Sequence, residues 1–161
     1  MIILKSYISK GGSEVTLECD NGQKYTITLA DARRLGLVDI DEDEFPVEFS
    51  DEETIEFLAD KLRAIRYCTY LLGFSDKSEK NLRKKLCEKG YSSDVIDCAL
   101  DILRQGGIID DSSLCLKKYT SLATGKLYGP YRIRSELSAK GFSSEDIKKA
   151  EEECGLDFED L

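Results

Sequence analysis

Two stretches decide the fold: Ser78-Glu79-Lys80-Asn81-Leu82-Arg83-Lys84-Lys85-Leu86-Cys87-Glu88-Lys89-Gly90 and Gly129-Pro130-Tyr131-Arg132-Ile133-Arg134-Ser135-Glu136-Leu137-Ser138-Ala139-Lys140-Gly141. An offset of 51 residues lays Arg83 on Arg134, Leu86 on Leu137 and Lys89-Gly90 on Lys140-Gly141. Leu82 meets Ile133, and Tyr91 meets Phe142. The same offset carries on, pairing Ser92-Ser93 with Ser143-Ser144, Ile96 with Ile147 and Ala99 with Ala150. Apolar residues four apart, a serine or Gly-Pro before each helix and a glycine after it spell a helix, a stop and a second helix, written twice. A repeat of this length is the signature of stacked helical modules, each too small to bury its own face alone.

Working outward, each copy gains a leading helix. Before the first, Ile55, Leu58, Ala59, Leu62, Ile65, Thr69 and Leu72 form an apolar stripe stopped by Gly73. Ser50-x-x-Glu53 reads as its capping box. Before the second, Asp110-Asp111 can cap a helix holding Leu114, Leu116 and Tyr119. Pro130 suits the first turn of the following helix, where its missing N–H costs nothing. The third helix of the first copy buries Ile96, Ala99, Leu100 and Leu103 and ends at Gly106-Gly107; that of the second ends near Gly155.

The first fifty residues have a different period. Val15, Leu17 and Cys19 alternate with polar neighbours, as do Tyr25, Ile27 and Leu29. Between them Asn21-Gly22 supplies the positive φ values of a tight hairpin turn. Ile2 to Ile8 can add a third strand, and Ala30 to Leu35 a short helix ended by Gly36. The fold class expected is mainly α: tandem three-helix repeats behind a small β-hairpin-containing segment. The expected divisions are 1–50, 51–107 and 108–161.

Composition excludes several chemistries. The chain has 161 residues and no histidine, which removes Ser-His-Asp and Cys-His catalysis and every histidine metal site. Its six cysteines, Cys19, Cys68, Cys87, Cys98, Cys115 and Cys154, form no C-x-x-C pair and read as small buried hydrophobes. No phosphate-binding glycine loop of the P-loop or dinucleotide type is present. No apolar run is long enough to span a bilayer, and Met1-Ile2-Ile3-Leu4-Lys5 lacks the pattern of a signal peptide. The expectation is a cytoplasmic, monomeric protein that is not an enzyme and takes no metal or cofactor. The acidic run Asp39-Ile40-Asp41-Glu42-Asp43-Glu44 lacks the glycine and terminal glutamate of a calcium loop and reads as a solvated loop.

Charge is unevenly spread. Residues 1–54 carry 5 basic and 13 acidic side chains, whereas residues 61–140 carry 16 basic and 9 acidic. The repeated second helix concentrates the excess: Lys77, Lys80, Arg83, Lys84, Lys85 and Lys89 in the first copy, Lys126, Arg132, Arg134 and Lys140 in the second, with Tyr128 and Tyr131 interleaved. This reads as a surface for an anionic partner, nucleic acid or an acidic protein face. The competing reading is a solvated helix face, with Glu79 and Glu88 offsetting part of the charge. The third helices carry Asp94, Asp97 and Asp101, then Glu145, Asp146, Glu151, Glu152 and Glu153, which argues against insertion into a major groove.

Three passages resemble the RecX family, regulators of the recombinase RecA. They are Tyr70-Leu71-Leu72 with the Leu82-to-Gly90 helix, then Gly107-Ile108-Ile109-Asp110-Asp111, then Gly129 to Gly141. The last is similar to the family's G-x-x-R-I-x-x-E-L-x-x-K-G pattern and is the most specific. The family commonly has Arg-x-Arg-Ser where this chain has Ser75-Asp76-Lys77-Ser78, and glutamate where it has Asn81. It usually carries three repeats; two are read here. The resemblance implies a non-enzymatic modulator that lies in the groove of the RecA filament on single-stranded DNA and restrains it. The eleven positions expected at that contact are Lys77, Lys80, Arg83, Lys84, Lys85, Lys89, Lys126, Tyr131, Arg132, Arg134 and Lys140. Two alternatives stay open: a nonspecific nucleic-acid binder, and a protein adapter that ignores DNA.

Overall fold

The computed structural model describes residues 1–155. The expected end of the second repeat at residue 161, with its acidic tail, lies outside the described residues. The chain divides into two compact units, residues 1–66 and residues 67–161.

The first unit is a four-stranded antiparallel sheet with two helices on it. Strands β1 (Ile2–Ile8), β2 (Glu14–Cys19), β3 (Lys24–Thr28) and β4 (Val47–Glu48) lie in the order β3-β2-β1-β4. Alternation in β2 and β3 turns Val15, Leu17, Cys19, Tyr25 and Ile27 inward, against Ile55 and Ala59 of a long helix. The hairpin is where the sequence placed it, but its turn differs. Glu18 pairs with Lys24, the Cys19 N–H donates to the Gln23 carbonyl, and of Asn21-Gly22 only Gly22 is left-handed, at φ 82°. The loop is therefore the three-residue kind, needing a single positive φ rather than two. Leu29 begins helix α1 (Leu29–Arg34) rather than ending the strand, because Thr28 accepts the Asp31 N–H and caps it.

Helix α2 (Glu52–Leu72) starts one residue later than Ser50-x-x-Glu53 suggests. Asp51 is the cap: its carboxylate accepts both the N–H and the hydroxyl of Thr54. Its buried stripe also shifts along its length. Ala64 and Cys68 are buried where Thr69 was expected, and Thr69 is exposed. Lys61 is buried within that stripe and bonds Asp31 at 2.8 Å. Burial alone raises the Asp31 carboxyl, but hydrogen bonds from Lys61 and Thr28 and the nearby Arg34 bring it below its ordinary value.

The second unit is helical. It contains α3 (Glu79–Lys89), α4 (Ser93–Gln105), α5 (Asp111–Thr120), α6 (Pro130–Ala139) and α7 (Ser144–Cys154). Equivalent helices begin alike. Ser92 accepts the Val95 N–H ahead of α4, and Ser143 accepts the Asp146 N–H ahead of α7. Equivalent apolar positions are buried alike: Leu82 and Ile133, Leu86 and Leu137, and Ala99 and Ala150 are all at 0% exposure. Gly90 and Gly141 are both left-handed, at φ 91° and 96°. The tandem repeat is real. Between α5 and α6 the backbone widens into a π turn at Ser121–Gly125, which seats Leu122 and Ala123 beside the buried Tyr119. No simple sequence period announces such a widening.

The cysteines depart from the uniform burial expected. Cys19, Cys68 and Cys115 are buried, Cys98 and Cys154 half-buried, and Cys87 is exposed on α3. Burial pushes the Cys68 and Cys115 thiols up to about 11, away from thiolate chemistry.

Candidate functional site

The candidate residues lie on α3 and α6 and in the segments that flank them, and the junction between the two modules sorts them. Ser78 plays two parts there: its hydroxyl oxygen accepts the Asn81 N–H to cap α3, and its O–H donates to the Lys140 carbonyl at 3.2 Å. The methylenes of Lys80 lie on Gly141, where an added Cβ would stand 2.8 Å from Lys80 Cδ. Lys80 and Lys140, far apart in sequence, are thus neighbours, and Lys84 follows one turn along α3 from Lys80. All three are exposed, and among the described residues none is seen in an ion pair.

The remaining candidates do not join this cluster. Arg83 reaches Asp97 of α4 at 2.7 Å, and its counterpart Arg134 reaches Glu151 of α7 at 3.2 Å. These shared arginines tie the second helix of each module to its third. Lys85 lies 3.9 Å from Glu88, and the Lys89 ammonium stands 4.9 Å from the centre of the Tyr67 ring. Lys77 donates to the Ser75 hydroxyl. At the start of α6, Arg132 stacks over Tyr128 at 3.7 Å and Lys126 approaches the same ring at 5.7 Å. Beside them Tyr131 is 82% exposed. This group is about one helix length, ~15 Å, from Lys140.

Asp110 and Asp111, adjacent in sequence, cap two different helices. Asp110 accepts the Ser113 N–H at the start of α5, and its carboxyl lies below its ordinary value because of the hydrogen bonds from Ser113. Asp111 turns to the other module and accepts the Glu79 N–H at 2.9 Å. Burial pushes the Asp111 carboxyl up despite that bond, with Glu79, Asp146 and Asp110 adding repulsion. Arg104 offsets part of this charge by bonding Glu79. The sequence reading found one cap here; the second is contributed across the junction, so local patterning had no signal for it. It also passed over Tyr70 and Phe74, 62% and 72% exposed with rings in edge contact at 4.9 Å. Their four-residue spacing, from the last turn of α2 to the turn just after it, was the available clue.

Among the described residues no group of cysteines and carboxylates is arranged to hold a metal ion. No helix among them is long and apolar enough to cross a membrane.

Comparison with known proteins agrees with this architecture. Residues 61–103 match the model of the first three-helix domain of RecX. A regulatory protein RecX of Pseudomonas savastanoi pv. phaseolicola is 36% identical over 90 residues, 56% of this chain and 57% of that protein. One of Pseudomonas fluorescens is 34% identical over 102 residues, 63% of this chain and 65% of that one. The helical part of the chain is thus similar to regulatory protein RecX. The aligned stretches span less than two thirds of these relatives. A crystal structure of regulatory protein RecX shares the fold with a TM-score of 0.72, covering 93% of this chain and 72% of that one at 21% identity. The RecX three-helix match takes in α3, most of α4 and the last turns of α2, so Lys80, Arg83, Lys84, Lys85 and Lys89 all fall inside it. Lys140 and the Tyr128–Arg132 group lie beyond it.

Proposed function

We propose that this chain is a RecX-family protein, a cytoplasmic, non-enzymatic regulator that binds the RecA filament on single-stranded DNA and restrains its activity. The observation that carries this reading is the packing of Lys80 on the Lys140–Gly141 turn across the module junction, with Lys84 one turn along α3, in a chain of net charge −9. Lysines free of protein carboxylates are the groups able to exchange counterions for phosphates or filament carboxylates. Residues 51–107 and 108–161 act as the two contact modules, with Lys80, Lys84 and Lys140 at the centre of the contact. Lys77, Arg83, Lys85, Lys89, Lys126, Tyr131, Arg132 and Arg134 flank it. Arg83 and Arg134 join only by giving up their carboxylate partners.

The test is RecA ATPase on single-stranded DNA with and without this protein, beside fluorescence anisotropy against the filament and bare DNA. The wild type should lower ATPase and prefer filament to bare DNA, with binding that weakens as salt rises. Lys80→Gln with Lys84→Gln and Lys140→Gln removes the charges while keeping the first two methylenes of each stem, and should change melting little. Filament binding should weaken tenfold or more, since charge-assisted contacts contribute about 1.5–3 kcal/mol each. Arg83→Ala with Arg132→Ala and Arg134→Ala should also leave the fold intact, because these are exposed pairs of under about 1 kcal/mol. Undiminished filament binding by the folded lysine variant rejects the site. Equal affinity for bare DNA and filament favours a nonspecific nucleic-acid binder instead.

A further inference from the structure

The acidic first unit has features that the basic helical face does not explain. Strand β1 lies between β2 and β4, but β4 pairs only with Ile2 and Ile3. From Leu4 to Ile8, β1 has a strand partner on one side only among the described residues, five residues and about 17 Å of open edge. Large apolar side chains stand along this strand: Leu4 and Tyr7 are each 45% exposed and Ile8 50%. A groove of about 460 Å³ runs beside the edge, lined by Leu4, Lys5, Ser6, Tyr7, Glu42 and Phe45.

Glu42 belongs to the acidic run, whose residues 42–44 form a short 3₁₀ turn. Asp41, Glu42 and Asp43 are exposed, and among the described residues none is seen in an ion pair with a lysine or arginine. An open edge next to apolar side chains is ordinarily an aggregation hazard. The irregular register between Ile3 and Lys5 and the lysine itself blunt it. A second copy of the same edge brings a second acidic unit, since residues 1–54 carry 5 basic and 13 acidic side chains. Like charge opposes self-pairing and favours a cationic strand.

The geometry points to β-strand addition: the Leu4–Ile8 edge of β1 takes an extended, lysine- or arginine-rich segment of a partner protein, its backbone bonded to β1 and its cations facing Asp41, Glu42 and Asp43. Main-chain bonds supply the affinity, alternate apolar side chains meet Leu4 and Tyr7, and the acidic rim selects charge. This site is separate from the proposed filament contact and stands without it.

The probe is a fluorescein-labelled peptide of alternating lysine and valine, seven residues long by design (~24 Å extended), titrated against the full chain. Three comparisons accompany it: the same peptide with every backbone amide N-methylated, a glutamate–valine counterpart, and the variant Asp41→Asn with Glu42→Gln and Asp43→Asn. Saturable binding is expected, weakened tenfold or more by N-methylation, several-fold by neutralising the rim, and absent for the acidic peptide. Hydrogen exchange should show new protection of the Leu4–Ile8 amides. Equal binding of the N-methylated peptide, protection elsewhere, or no binding of the lysine–valine peptide overturns the proposal. So does protection of the same amides by concentration-dependent dimerisation without peptide, which makes a second copy the occupant. Because RecA ATPase reads the other surface, a failed peptide titration leaves the filament reading untouched, and the reverse holds too.

Discussion

The two three-helix modules share a frame but not an edge. Leu82, Leu86, Ile96 and Ala99 have buried counterparts in Ile133, Leu137, Ile147 and Ala150, and a serine caps the third helix of each. At the start of the second helix the copies part. Ser78, Glu79 and Lys80 stand where the second module has Gly129, Pro130 and Tyr131. In the first module this edge is bonded: the Ser78 hydroxyl to the Lys140 carbonyl, the Glu79 N–H to Asp111, and the Lys80 stem on Gly141. Gly129 has no hydroxyl, Pro130 has no N–H, and Tyr131 is 82% exposed. A buried N–H demands a partner, whereas proline needs none. The same helix thus serves once as an internal joint and once as an outer face. What distinguishes the two uses is three side chains rather than a change of core.

The comparison is most easily broken at the core. Leu86→Ala and Leu137→Ala should each cost about 2–5 kcal/mol, since both side chains are fully buried. Denaturant unfolding of the two variants checks this. A cost under about 1 kcal/mol at one site would mean that only one module has a packed centre.

The joint is tested at its cap. Asp111→Ala should lose about 0.5–2 kcal/mol, the ordinary worth of a helix cap. Asp111→Asn keeps an oxygen for the Glu79 N–H and should lose less. The pH dependence carries a sign: with its carboxyl raised in the folded protein, Asp111 favours folding below the ordinary aspartate range. That contribution fades as pH rises through the raised value. Thermal melts from acid to neutral pH should therefore show Asp111→Asn gaining on the wild type as pH increases. A parallel offset at all pH values would put the carboxyl outside the joint's energetics.

The sharpest comparison is between the two glycines. Gly90→Ala and Gly141→Ala both force alanine into left-handed backbone, about 1–2 kcal/mol. Nothing lies within 4 Å of a Cβ at Gly90, while one at Gly141 stands 2.8 Å from Lys80 Cδ and 3.0 Å from Lys80 Cβ. Gly141→Ala should cost more, by roughly 1 kcal/mol. Adding Lys80→Ala should remove the excess but leave Gly90→Ala unaffected. A double-mutant cycle on unfolding free energies reads this coupling directly. Zero coupling would mean that Lys80 does not rest on Gly141 in solution.

Local chemistry made much of this legible. The serine caps of α3, α4 and α7, the Gly129-Pro130 start of α6, and the glycine stops and apolar spacing of all four helices are set within one or two turns of chain, and all are where the pattern put them. The errors fell where a distant partner overrides local preference. Thr69 fitted the stripe of α2, but Ala64 and Cys68 hold the buried positions. Lys61 interrupted that stripe and is buried, because Asp31 of α1 neutralises it at 2.8 Å. The basic positions were legible as a set and not as a surface. Spacing along one helix cannot show that Arg83 turns to Asp97 while Lys80 meets the far end of α6.

The sequence by itself determined the helices, the hairpin, the repeat and the distribution of charge, because caps, turns and periodicity act over a few residues. Only the tertiary structure decided which of two adjacent aspartates caps which helix and which cations stay unpaired. It also decided that β4 covers only Ile2 and Ile3 and leaves the rest of β1 open on that side. Each of those depends on groups tens of residues apart, whose meeting is fixed by packing of buried faces and by the need of every buried polar group for a partner.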